Sequence, residues 1–154
     1  MGLVSDRCEA ETCRIEQGVF YASDEAVLLV EGASGRLEEG ERTTVADLAA
    51  RDPPGWCFVD RQAGCEWSEP DLLVVGGGTS WEGEGWLAAV EQPGSHLLWI
   101  LHLENSEPFV AVRRVGEEII AVSEEYPRRC EWRIPLRHPE RLMLTGIMRP
   151  ERGR

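Results

Sequence analysis

Lysine is missing from this chain of 154 residues; all sixteen cationic side chains are arginine. That absence removes Schiff-base chemistry, a lysine general base and the lysine of a phosphate-binding loop. Long apolar runs are missing too. None approaches the roughly 20 residues that a membrane-crossing helix needs. Residues 1–7 lack the positive stretch followed by an apolar one that marks a secretory signal. Asp6 stands where myristoylation would want Ser or Thr. The expectation is a cytoplasmic, bacterial protein with no membrane attachment.

Histidine is scarce, at three residues. His96 and His102 share an extended run but lie about 20 Å apart at ~3.3 Å per residue, too far to hold one metal. His138 precedes Pro139 in a loop. Cysteine is odd in number, with Cys8, Cys13, Cys57, Cys65 and Cys130. An odd count without a signal suits reduced, packed thiols. The spacings Cys8-x4-Cys13 and Cys57-x7-Cys65 are looser than the knuckles of structural zinc sites. No metal and no cofactor is expected, and no sequence context nominates a catalytic dyad, so the chain reads as a non-enzyme.

What is present is β-sheet patterning. Residues 18–22 and 26–31 flank the polar turn Ser23-Asp24-Glu25 and predict a hairpin. Thr44 can cap a helix over Val45–Arg51, which Asp52-Pro53-Pro54-Gly55 ends. Residues 32–40, rich in Gly and Glu, read as a loop. Strands are then predicted over 56–60, 65–67, 71–75, 85–91, 96–103, 109–115, 117–123, 130–134 and 141–145. Pro93 and Gly94 occupy the centre of a type II turn joining two of them. Short strands with tight connections must be antiparallel, because a parallel crossover takes a dozen or more residues. The fold class is therefore mainly β, a single domain built as an antiparallel β-sandwich or barrel-like meander with one short helix; residues 1–14 and 147–154 are expected to be loosely ordered. Strand 96–103 is apolar on both faces, with His96, Leu98, Ile100 and His102 on one and Leu97, Trp99, Leu101 and Leu103 on the other, and should lie centrally.

Gly76-Gly77-Gly78-Thr79-Ser80 follows an apolar run, yet it lacks both GxGxxG and Gly-Lys-Ser/Thr, and no helix follows to hold a phosphate. As a glycine-rich exposed loop it could instead present Trp81 beside Glu82 and Glu84, while Trp86 starts the next strand facing the core. Charge is lopsided. Residues 1–127 hold 25 acids and eight arginines, and residues 128–154 hold three acids and eight arginines, within a net −12. The late arginines can pair with the acidic sheet around them, or Arg128, Arg129, Arg133 and Arg137 could bind an anion. A net −12 disfavours nucleic acid and anionic membranes and favours a basic protein partner.

Acidic turns carrying aromatic anchors can steer and then hold such a partner. The candidate contact residues are Trp81, Glu82, Glu84, Glu117, Glu118, Glu124, Glu125 and Tyr126. The functional expectation is a protein-binding domain, such as an immunity protein or inhibitor that neutralises a basic toxin or enzyme. The alternative is a small-ligand or carbohydrate-binding β domain, or an enzyme, using Trp81, Trp99 and Trp132.

Overall fold

The computed structural model describes residues 2–9, 11–33, 36–80, 84–104, 106–125 and 128–148, with backbone alone at 125, 128, 147 and 148. The chain runs through α1 (Leu3–Glu9), β1 (Thr12–Arg14), β2 (Gly18–Tyr21), β3 (Glu25–Glu31), β4 (Leu37–Thr44), α2 (Val45–Arg51), β5 (Trp56–Ser68) and β6 (Leu72–Thr79). It continues through β7 (Gly85–Glu91), β8 (His96–Leu103), β9 (Phe109–Val115), β10 (Glu118–Glu125), β11 (Arg128–Pro135), a 3-10 turn at Pro139–Arg141, and β12 (Met143–Met148). All strand pairs are antiparallel, in an eight-stranded sheet ordered β1-β5-β6-β7-β8-β2-β3-β4 and a four-stranded sheet ordered β12-β11-β10-β9.

The large sheet is buried on both faces over its central strands. Its alternation sends Val19, Leu72, Val74, Leu87, Ala89, Leu101 and Leu103 toward the small sheet, where Phe109, Ile119, Ala121 and Ile134 meet them. Phe20, Ala26, Val75, Trp86, Ala88 and Ile100 face the other way, into a second cluster closed by Val4 of α1 and Val45 and Leu48 of α2. The expected two-faced burial of β8 is present, with one shift in register. A bulge opposite Ala89 and Val90 places Leu98 with Trp99 on the face toward the small sheet and Leu97 on the helical face. Beyond such a bulge a strict alternation of faces no longer holds.

Several expectations are corrected. Within the N-terminal stretch expected to be loose, Leu3–Glu9 forms α1 and Thr12–Arg14 forms β1. The Asp24 carboxylate, at the tip of the β2–β3 hairpin, accepts from the amides of Leu3 and Val4 at 2.9 and 2.8 Å and caps the helix from twenty residues away. The end of the Gly/Glu stretch, from Leu37 to Gly40, opens the strand β4, held at the sheet edge by pairing with β3. The positive φ falls on Ser95 and not on Gly94, so the turn between β7 and β8 is not type II.

The glycine run is not a loop. Gly76 to Gly78 pair with β7, Gly77 and Gly78 pair with β5 as well, and a Cβ on Gly77 would stand 2.0 Å from the Asp60 carbonyl oxygen. The glycines let β5 press onto β6 where β5 bulges between Arg61 and Glu66. Residues 149–154 of the expected loose C-terminus lie outside the described residues.

Candidate protein-binding surface

Register decides which acids could face a partner. On the four-stranded sheet, Glu118 stands 3.1 Å from the Arg133 guanidinium. Glu117, in the β9–β10 turn, lies 3.6 Å from Arg114 and 3.8 Å from Arg137. At the far end of β10, Glu124 lies opposite Arg129 and Glu125 opposite Arg128. Arg114, Arg133 and Arg137 therefore sit beside acids of their own sheet. The two ends of β10 are about 20 Å apart at ~3.3 Å per residue, so these acids do not form one rim.

Glu84 is corrected outright. It is buried, and its Oε2 lies 2.7 Å from Nε2 of His102, which has no exposed surface. The His102 Nδ1 donates to the Glu16 carbonyl at 3.0 Å, which requires a proton on Nδ1. Trp81, Glu82 and Tyr126 lie outside the described residues. Trp86, as expected, faces the core, with Nε1 donating to the Asp60 carbonyl at 3.1 Å.

A second buried polar group had no sequence signal. Arg14 is 1% exposed and donates to Glu16 at 2.7 and 2.6 Å. It also donates to the Asp52 carbonyl at 3.1 Å and the Leu48 carbonyl at 3.3 Å. It thus closes the C-terminal end of α2, with the charge sign that end favours. Gly55 is what leaves it room, since a Cβ there would meet the guanidinium at 2.5 Å.

The tryptophans proposed to share a ligand site separate into two places. Trp99 is buried, donates to the Leu136 carbonyl at 2.8 Å, and lines a cavity of about 380 Å³ between the sheets with Tyr21, Leu98, Arg114 and Arg137. Its polar lining is largely engaged already. Arg114 binds Glu69 at 2.8 Å, and the Tyr21 hydroxyl donates to the buried Glu140. Burial first, and that hydrogen bond second, push the Tyr21 hydroxyl well above its usual range. Trp132 lines a different space.

That space is a groove of about 440 Å³ between β4 and β12, lined by Arg36, Leu37, Glu38, Trp132, Leu142, Met143 and Leu144. β4 ends one sheet and β12 ends the other, so two strand edges border it. Met143 and Leu144 are 57% and 46% exposed. Beside them β4 carries Glu38, Glu39 and Glu41, all exposed. Glu39 pairs with Arg42 and Glu41 with Arg51, whose hydrogen bond holds the Glu41 carboxyl below its usual range. Sequence reasoning missed this surface because the β4 stretch has no apolar alternation to announce a strand.

Compared with family models, curated proteins and solved structures, the chain matches none. Among the described residues, no helix is long and apolar enough to cross a membrane, and no three His, Cys, Asp or Glu side chains are placed to hold a metal ion.

Proposed function

We propose that this chain is a non-enzymatic protein-binding domain for a basic partner, acting as an immunity protein or inhibitor does when it neutralises a basic toxin or enzyme. The observation that carries the reading is the apolar groove between two sheet edges, beside an acidic strand. Exposed Met143 and Leu144 with half-buried Trp132 supply contact area that water gives up readily, and the two bordering edges offer backbone groups to an added strand. The net −12 speeds encounter with a cationic surface and repels polyanions. On this reading the contact lies on β4 and β12 rather than on the turns of β10.

The test is affinity capture from the source cell with the intact chain. A basic protein should be retained at low salt, weakened at high salt, and lost with Met143→Asp/Leu144→Asp. Retention that is indifferent to those substitutions would remove the groove from the account.

A second reading rests on the cavity between the sheets, whose Trp99 and Tyr21 could receive a small ligand. Its engaged polar lining leaves few converging groups to orient one. Saturable quenching of tryptophan fluorescence by a metabolite or sugar, abolished by Arg114→Ala, would favour it over protein binding.

A further inference from the structure

Cys13 and Cys57 face each other in register across β1 and β5, 44 positions apart in sequence, with Sγ atoms 3.8 Å apart. Both are buried, beneath α1 and against Phe20 and Ile100. The flanking bonds from the Ile15 amide to Gly55 and from the Val59 amide to Glu11 make this a hydrogen-bonded pair of the ladder. Its Cα atoms then stand about 5.5 Å apart, inside the range that a disulfide spans. β1 is three residues long and lies at the sheet edge, so a small displacement and a χ1 rotation would bring the sulfurs together.

We propose that Cys13 and Cys57 form a dithiol site that small-molecule disulfides oxidise to an intramolecular bond joining β1 to β5. The Cys57 thiolate attacks one sulfur of the oxidant RSSR, forming Cys57–S–S–R and releasing RS⁻, which takes up a proton. The Cys13 thiol then gives its proton to solvent and attacks the Cys57 sulfur, releasing the second RS⁻. Two cysteine thiols are oxidised and one disulfide is reduced to two thiols. The order of attack follows the hydrogen bond between the sulfurs, which lowers the Cys57 pKa, while the same contact and then burial raise that of Cys13. Cys8, half-buried in α1, shares a cavity of about 50 Å³ with Cys13 and is the competing thiol. The pair is covered by α1, so the reaction waits on that seven-residue helix lifting from the sheet.

The experiment incubates the full chain with oxidised glutathione, traps remaining thiols with N-ethylmaleimide in denaturant, and maps the peptides. Expected are three alkylated cysteines, the Cys13 peptide joined to the Cys57 peptide, and a melting midpoint raised by about 10 °C that dithiothreitol reverses. Cys8→Ser should leave the Cys13–Cys57 linkage and the melting shift unchanged, with two alkylated cysteines in place of three, and Cys13→Ser should retain glutathione on Cys57. Five alkylated thiols, or a bond that includes Cys8, would overturn the proposal.

Discussion

The two sheets handle charge differently. Residues 109–148, which hold the four-stranded sheet, contain six acids and seven arginines; residues 1–108, which hold the eight-stranded sheet, contain 21 acids and six arginines. On the small sheet, β10 and β11 place Glu118, Glu124 and Glu125 near or opposite arginines. On the large sheet, Arg14 closes the end of α2 and Arg42 and Arg51 lie against the β4 acids Glu39 and Glu41, and a surplus of carboxylate remains. Net charge read along the chain therefore finds a basic partner attractive without showing where it lands. Strand register narrows the choice, since it sets the β10 acids near or opposite arginines, and the proposed contact is the β4 edge.

The large sheet also spends its polar interior on structure, and the sharpest way to break the comparison is there. Glu84→Ala leaves His102 buried without its carboxylate and should cost about 3–5 kcal/mol in urea unfolding, as breaking a buried pair does. A loss below 1 kcal/mol would mean that this interior behaves like the small sheet's surface.

Next in size is an alkaline effect. Burial pushes the Cys65 thiol from the usual 9.0 up to about 11. The folded state thus favours the neutral thiol, so the stability it contributes is present below pH 9 and is lost as pH rises through 11. Denaturation midpoints between pH 9 and 11 should fall by about 3 kcal/mol equivalent from this group. Cys65→Ala should flatten the slope, and the absence of lysine removes the usual competing titration. The hydrogen bond with Cys57 and then burial raise Cys13, and burial raises Cys8 and Tyr21, so a residual slope is expected.

Thr44→Ala removes the side chain that accepts from the Asp47 amide at 3.1 Å and should cost about 1 kcal/mol by thermal unfolding. The smallest effect belongs to the small sheet. Glu118→Ala breaks an exposed pair with Arg133 and should change stability by no more than about 0.5 kcal/mol.

Legibility in the sequence follows the same division of forces. β7, β8 and β9 have the predicted bounds, because aromatic and branched residues between Gly, Pro and acidic breaks leave one reading. The helix at Val45–Arg51 and its Thr44 cap were legible from local chemistry. α1 was not, since its cap comes from Asp24 on another element. β4 was not, since an edge strand of glutamates is defined by its partner β3 rather than by its own pattern. Glu84 read as a surface acid because nothing near it in sequence reveals that His102, eighteen positions on, lies alongside. Of the predicted contact residues, the described acids are legible as residues but not as a surface, which only the pairing of strands assembles.

The most direct measurement is capture of the basic partner by three forms of the intact protein at low salt: wild type, Glu38→Arg/Glu39→Arg on β4, and Glu117→Arg/Glu118→Arg on the small sheet. Binding that survives the second pair of reversals and falls at least tenfold with the first is the predicted result. Equal binding by all three, or loss only when the β10 turn is reversed, would contradict it.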